Sequence, residues 1–530
     1  MRQRSWSAAA ALLAAATLYT GVHWGSTVGG GADSYGYVSQ AGLWLRGTLR
    51  IRQDIVRASP WPLAAETWAP LGYRPAPGDR DFIVPLYPPG LPLLMALVQA
   101  VGGFCAAFLV VPVCGAATIW LTYRLAQGFF GIPAVSVASA ALVAASPIFL
   151  YQLMNPMSDV PVTAAWALAV LLVVDGWTLA AGFAAGAAVL IRPNLAPIAI
   201  APLVWLVMTR GRALRFLAGL ALAATAVAAI NAALYGSPWV SGYGTAGDLY
   251  ALRYLATNLR QFSAWTVETS TPVVALAAVF FVAPGLVAPA CTPRLRLLAG
   301  GWMAAIIVSY LFYLPFDAWW YLRFLLPMWP VLSVMLAVAL HAIIVRLRAP
   351  QAVFALCILA LAANGVRIAA QRYAFDIGRA EGRYVDVARF VAGHSDQRAV
   401  MIAVQHTGTL RLYGGRLTLR FDQLDPLWLD RVVTFLRDSG RHPYVVLDDA
   451  EVERFRARFG RANAVGRLDW PPMATLATTA ALAALASPAV VIYDAVDRAA
   501  TTEPLAIGSS RRTGWRCNVP YLWPPRLRME

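Results

Sequence analysis

Apolar stretches long enough to cross a bilayer recur from residue 8 to residue 370, and no other feature of the chain constrains its fold as strongly. A hydrocarbon core of ~30 Å is crossed by a helix of about 20 residues, and in lipid every backbone polar group must find its partner within the fold. After residue 371 charges become frequent. The one later apolar run, 474–492, is Ala-rich, poor in Leu, Ile and Phe, and interrupted by Thr475, Thr478, Thr479 and Ser487, so it reads as part of a folded domain. The expected architecture is a mainly α, polytopic transmembrane helical bundle of about eleven helices with a C-terminal extramembrane α/β domain. The two modules divide at 1–373 and 374–530. Only 13% of residues are charged, about half the share usual in a soluble chain.

The formal net charge is +16, and all 43 basic residues are arginine. Arginine collects in cytoplasmic loops, and its clusters set a topology. Residues 7–26 read as a signal-anchor helix with Arg2 and Arg4 inside and Asp33 outside. Segment 27–84 is a long outer loop with interfacial helices, and 85–103, opening Pro85-Leu86-Tyr87-Pro88-Pro89-Gly90, is interfacial or re-entrant. Spans follow at 104–124, 133–152, 160–175, 178–192, 195–209, 216–234, 271–289, 298–314, 324–345 and 352–370. Counting 85–103 as a full span would put the arginine clusters at 210–215, 294–296 and 346–348 outside. The basic tail (Arg511, Arg512, Arg516, Arg526, Arg528) fits anionic lipid head groups, and nothing in the charge pattern argues for nucleic acid.

The C-terminal segment alternates: helix 381–393, strand 399–404, helix 426–439, strand 443–448, helix 449–459 and strand 489–493, a small α/β sandwich with a partly parallel sheet. No glycine-rich phosphate loop opens any of its helices. Five scattered cysteines, Cys105, Cys114, Cys291, Cys357 and Cys517, suggest neither a disulfide framework nor a metal site.

A few polar residues at the ends of apolar helices need an explanation. Asp33, in Gly31-Ala32-Asp33-Ser34-Tyr35-Gly36-Tyr37, is an N-cap for 34–46 or a functional acid. Asp159, in Met157-Ser158-Asp159-Val160-Pro161, offers the same choice before the next helix. Both acids fall on the outer side, where one carboxylate can act as general base and the other as its orienting partner. Arg323, in Tyr321-Leu322-Arg323-Phe324, stands outside against the positive-inside trend; it either snorkels or offers a guanidinium fork to a phosphate. Arg192, in Ile191-Arg192-Pro193, is similar. Tyr87 is a turn residue or reaches a polar ligand. Asp79, Arg80 and Asp81 read as a solvated loop, with the alternative that one acid lines the cavity, and His406 as a structural histidine in preference to a catalytic one.

In this order the motifs resemble the GT-C superfamily of polytopic glycosyltransferases. The chain is similar to the dolichyl-phosphate-mannose–protein mannosyltransferases and the bacterial aminoarabinose transferases acting on lipid A. The likeness is carried by Asp33–Tyr37 with Ala41 and Gly47, Tyr87-Pro88-Pro89-Gly90 with Pro92-Leu93-Leu94, Pro156–Pro161, Gly182–Pro193 and Tyr321–Pro327. It frames residues 5–350 and leaves the C-terminal domain uncovered. Two departures stand out: Ser34 follows Asp33 where the mannosyltransferases carry Asp-Glu, and Leu86-Tyr87 precede the paired prolines where many bacterial relatives place a charge.

The resemblance implies a polyprenyl-phosphate-linked sugar donor, a glycan, lipid or protein acceptor, and transfer to a hydroxyl at the periplasmic face. It assigns Asp33 as general base, Asp159 as its assistant, Arg323 and Arg192 as partners of the departing phosphate, and Tyr37 and Tyr87 as substrate-binding residues. No DxD-like acidic pair stands at Asp159, so no metal and no cofactor are expected. A bacterial inner membrane follows, with the N-terminus cytoplasmic and the C-terminal domain periplasmic. The competing classes are a transporter or flippase, which would place charges at mid-membrane and duplicate its halves, and a non-catalytic binder of lipid carriers.

Overall fold

The computed structural model describes residues 2–287, 291–478, 485, 487–499, 505–507 and 517. The tail arginines Arg511, Arg512, Arg516, Arg526 and Arg528 lie outside the described residues. Among the described residues six helices are long and apolar enough to cross a membrane: Arg4–Trp24, Phe104–Phe130, Ala213–Tyr235, Pro293–Leu311, Trp319–Arg346 and Gln351–Gln371. Two further pairs, Pro133–Ala144 with Pro147–Leu153 and Leu252–Ser270 with Pro272–Val282, are bent by 60° and 108°. Each bend falls just before a proline, which has no amide hydrogen to donate to the preceding turn. Asp159–Val174, Thr178–Ile191 and Pro193–Met208 are apolar helices of 10–17 residues. The bundle is therefore polytopic with six to eight spans by length; the count of about eleven is not reached, because three of the expected spans are short and residues 272–287 break into pieces. Helix Gly90–Gly102 is likewise short and apolar, packing on helix Asp33–Leu45.

The segment 27–84 folds. Strands β1 (Ile51–Arg52), β2 (Tyr73–Ala76) and β3 (Asp79–Pro85) form an antiparallel sheet in the order β1-β3-β2. Asp79, Arg80 and Asp81 are thus strand residues, not loop, and are paired with Arg50, Glu66 and Arg57.

The C-terminal domain is a six-stranded mixed sheet. Its strands are β4 (Val400–Ala403), β5 (Leu417–Arg420), β6 (Pro443–Asp448), β7 (Ala474–Thr478), β8 (Ala489–Asp494) and β9 (Leu505–Ile507), in the order β5-β4-β6-β8-β7-β9. β5, β4 and β6 are parallel, whereas β8 runs antiparallel to β6 and β7. The four expected helices and strands between 429 and 459 and at 489 appear where the pattern puts them; helix Thr407–Gly414 and strands β5, β7 and β9 are additional.

The chain reverses direction across the sheet between β4 and β6, the switch point at whose carboxyl ends α/β sheets usually hold ligands. Here side chains fill that crevice. His406 is fully buried with Nε2 3.1 Å from Asp448 Oδ1, and Arg383 donates to the same oxygen at 2.6 Å. Burial opposes the Asp448 charge, yet His406 and Arg383 together hold its carboxyl down at about 2. His406 has the structural role expected of it.

The same end of the domain is clamped onto the membrane module. Gly29 N–H donates to Tyr413 Oη at 2.8 Å and Leu71 N–H to Thr407 Oγ1 at 3.2 Å. The fully buried Arg411 donates to Gln53 Oε1 at 2.9 Å and to the Trp68 and Thr418 carbonyls. Burial among neutral acceptors draws its guanidinium down to about 10.

Two carboxyls at this junction make its stability pH-dependent. Burial pushes Glu451 up to about 7, and Glu381 up to about 7 against the pull of Arg383. A carboxyl whose folded pKa exceeds its unfolded one stabilises the fold below the unfolded value, and that stability is lost as pH rises through the folded value. The docked domain is expected to melt at lower temperature as pH is raised from about 5 to about 8. Glu451→Gln with Glu381→Gln should flatten that dependence in a thermal melt of the whole chain.

Cys105 and Cys517 form a disulfide across 412 positions of sequence, with Cα atoms 5.6 Å apart. This corrects the expectation of no disulfide: scattered cysteines carry no spacing signal, and only the folded chain brings these two together. Cys114, Cys291 and Cys357 are free thiols. Alkylation of the unfolded, unreduced chain should label those three alone, and reduction should expose Cys105 and Cys517, read by peptide mass.

Candidate active site

The six residues to which the resemblance gives a role, Asp33, Asp159, Arg323, Arg192, Tyr37 and Tyr87, meet at one end of the bundle, beneath the C-terminal domain. Asp33 opens helix Asp33–Leu45 and Asp159 opens helix Asp159–Val174, and neither helix start has a side-chain capping bond. The capping reading of both acids is therefore corrected: their carboxylates are directed into a shared polar chain. Asp33 Oδ1 accepts from Tyr87 Oη at 2.7 Å, and Oδ2 from Arg323 Nη2 at 2.9 Å. Arg323 Nη1 lies 4.0 Å from Asp159 Oδ2 and 3.3 Å from Met157 Sδ. Asp159 Oδ1 accepts from Arg192 Nη2 at 2.6 Å. Arg192 also donates to Ser158 Oγ at 3.0 Å and to Tyr310 Oη at 3.3 Å, and Tyr37 Oη donates to Ser158 Oγ at 3.0 Å. Two acids and two guanidiniums alternate, so the chain as a whole is neutral.

Local sequence explains the convergence. β3 ends at Pro85, and Pro88 and Pro89 lead into the helix that starts at Gly90. A Cβ on Gly90 would run into the backbone of Leu190 and Ile191. Only glycine lets this turn seat against the end of helix Thr178–Ile191, whose last residue precedes Arg192. Arg323 lies in the 3-10 segment Trp319–Met328 and is over the Tyr321 and Phe324 rings at 5.1 and 5.4 Å. Phe324 stacks on Tyr310 at 4.7 Å. The guanidinium is thus gripped, not snorkelling.

The two acids differ in exposure. The Asp159 side chain is fully buried, whereas Asp33 retains 36%. Burial alone would raise the Asp33 carboxyl, but Arg323 and the Tyr87 hydrogen bond outweigh it and hold it below the ordinary Asp value. It is ionised at neutral pH. Burial and the Asp33 charge push the Tyr87 phenol up, so Tyr87 keeps its proton and donates. Asp159 Oδ2 and Arg323 Nε are buried without a hydrogen-bond partner, one unspent acceptor and one unspent donor beside each other. Among the described residues no group of three or more His, Cys, Asp or Glu side chains is placed to hold a metal.

Ser158, Tyr310 and Phe324 complete the site and carried no site signal in the sequence. Ser158 resembles a helix cap, and the other two sit in aromatic runs that suit a membrane interface equally well.

The helical bundle, with its acids and guanidiniums gathered at one end beneath an α/β domain, shares its overall fold with solved membrane proteins. It is similar to ArnT in structure and, over part of its length, to the PMT-type mannosyltransferases in sequence. Residues 87–235 match the family described as dolichyl-phosphate-mannose-protein mannosyltransferase. ArnT from Cupriavidus metallidurans, in its structure bound to undecaprenyl phosphate, superposes with a TM-score of 0.55 at 13% identity, covering 94% of this chain and 99% of that one. The Archaeoglobus fulgidus oligosaccharyltransferase gives 0.52 at 13% identity, covering 86% and 70%. No curated protein matches the chain by sequence.

Proposed function

We propose that the chain is a membrane glycosyltransferase moving a sugar from a polyprenyl-phosphate donor to a hydroxyl of a lipid, glycan or protein acceptor, with Asp33 as general base. The observation that carries this reading is the half-open carboxylate of Asp33 sharing Arg323 with the buried Asp159. The acceptor hydroxyl gives its proton to an Asp33 oxygen, and its oxygen bonds to the anomeric carbon. The bond from that carbon to the phosphate oxygen breaks, and its electron pair leaves with the polyprenyl phosphate, inverting the centre. Arg323, with Nε unspent, and Arg192 stabilise the charge on the departing phosphate. Asp159 holds both guanidiniums in place. Tyr37 and Tyr87, with rings 4.7 Å apart, line the side on which the sugar rests.

An apolar cavity of about 590 Å³ supports a lipid-borne donor. It runs between helices Pro193–Met208 and Pro293–Leu311 and has Asn194 and Tyr250 at its polar end. Asn194 is two residues from Arg192, so an isoprenoid in the groove would present its phosphate to the guanidiniums. The disulfide supports an extracytoplasmic active face, since disulfides persist in oxidising compartments. Cys105 is beside Ala107 and Phe108, which pack in one cluster with Tyr35, Tyr37 and Tyr87. We place the chain in a bacterial inner membrane, N-terminus cytoplasmic, with residues 374–530 periplasmic as a module distinct from 1–373.

The test is transfer of radiolabelled sugar from a panel of polyprenyl-phosphate donors by the whole chain in proteoliposomes, with donors separated by mass spectrometry. Transfer that requires Asp33 supports the proposal. Gradient-driven solute flux without transfer would replace it with a transporter.

A further inference from the structure

A second cleft, of about 510 Å³, opens on the water-facing side of the active end. Four parts of the chain build it: helix Ala64–Trp68 with Ala69, the β2–β3 hairpin, the segment following Tyr235, and the end of β5 in the C-terminal domain. Its walls carry three guanidiniums, Arg74, Arg80 and Arg420, against one carboxylate, Glu66. Arg80 pairs with Glu66, and Arg420 with Asp422 through Nε at 3.0 Å. Arg74 donates to the Gly242 carbonyl at 3.1 Å and, among the described residues, is in no ion pair within 4.0 Å, the Asp248 carboxylate feeling its charge from farther off.

The cleft and the reaction centre share a wall. Leu86 and Gly242 line the cleft, and their backbones touch so closely that a Cβ on Gly242 would strike the Leu86 carbonyl. The next residue of each segment stands on the other side: Tyr243 packs edge-on to Tyr87 at 5.8 Å, and Tyr87 is the residue bonded to Asp33. Two pieces of chain each step from cleft to reaction centre in one residue.

We infer that this cleft binds the anionic saccharide part of the acceptor, a phosphate- or carboxylate-bearing sugar, gripped by Arg74 and Arg420 while one of its hydroxyls reaches past Leu86 to Asp33. The inference rests on the reading of Asp33 as base. Guanidiniums match the planar, bidentate geometry of carboxylate and phosphate oxygens, and Arg74 has a fork to offer without first giving up an ion pair. The C-terminal domain then has a task of its own, since Arg420 is its contribution to acceptor choice.

Binding tests this without any transfer. The whole chain in nanodiscs of zwitterionic lipid is titrated calorimetrically with tetragalacturonate, mannose 6-phosphate, inorganic phosphate and neutral maltotetraose. The charged saccharides are expected to bind at least about tenfold more tightly than maltotetraose, and to weaken with added salt as exposed charge pairs do. Arg74→Gln with Arg420→Gln should lose that preference, while Asp33→Asn keeps it. The salt dependence of the unaltered chain stands even where the double variant does not fold. Equal affinity for the neutral tetrasaccharide, or a preference surviving the double substitution, overturns the inference. So does inorganic phosphate binding as tightly as the sugar phosphate, or competition from phosphatidylglycerol in the disc, which would assign the cleft to a bare anion or to a lipid head group. Failure of transfer with charged-saccharide binding intact would refute only the catalytic reading; transfer without this binding refutes only the cleft.

Discussion

Asp33→Asn is expected to lower the rate of sugar transfer by about 10²- to 10⁴-fold, the range over which a positioned general base contributes. The substitution is nearly isosteric. Asparagine can still accept from Tyr87 through its amide oxygen, but its amide nitrogen then faces the Arg323 donor where a carboxylate oxygen accepted, so some thermal stability should be lost as well. Lost are the proton-accepting oxygen and the negative charge opposite Arg323. The pH dependence separates this role from a structural one. Arg323 and Tyr87 hold the free carboxyl below the ordinary Asp value, so kcat/KM, which reports the free enzyme, should stay flat from neutral pH down past the range in which an ordinary Asp is protonated. Below that, activity is lost as pH falls through the folded pKa, the sign expected for a depressed carboxyl. A donor phosphate that draws Arg323 toward itself weakens its hold on Asp33 and makes the carboxylate a better base. The acid limb of kcat is then expected at higher pH than that of kcat/KM. Transfer undiminished in Asp33→Asn would remove Asp33 from the chemistry.

How much of this was readable beforehand follows from which interactions are local. Hydropathy alone gave the bundle, because lipid forbids unsatisfied backbone, and strand–helix alternation gave the mixed sheet, because buried strands are continuous apolar runs. Span number was not readable: Thr178–Ile191 and Pro193–Met208 are apolar like spans but too short, and only tertiary packing decides whether a helix of that length crosses. Strand β5 (Leu417–Arg420) was missed because four residues give no period, and helix Thr407–Gly414 because it is short and polar at its start. In the site, the acids and arginines announced themselves as charges at the ends of apolar helices. Their meeting did not: Asp33 and Arg323 are 290 residues apart, and capping offered each acid a local alternative that the fold turned down. The disulfide was illegible for the same reason, since pairing over 412 positions is a property of the folded chain.

Asp159→Leu is expected to destabilise the membrane module by about 3–5 kcal/mol, the cost of leaving one member of a buried ion pair uncompensated. Asp159 is fully buried and Arg192 keeps only 11% of its side-chain exposure, so water cannot take over the lost partner. Arg323, 4.0 Å from the same carboxylate, would lose a neighbour as well, leaving two guanidiniums facing each other with Asp33 as their only counter-charge. Arg192→Leu should cost a similar amount by stranding Asp159. Removing both charges together is the informative case. Apolar replacement of a whole buried pair is often neutral or stabilising, so the double variant is expected to unfold at a higher temperature than either single one, with a coupling well beyond the few tenths of a kcal/mol of independent sites. Thermal unfolding of the four proteins in one lipid environment completes the cycle. If the double variant recovers stability without recovering transfer, the pair is present to hold Arg192 and Arg323 at the phosphate, and its stability cost is accepted for that geometry. Strictly additive losses would mean that Asp159 and Arg192 act independently, and the chain of alternating charges would then not be the unit that positions the leaving group.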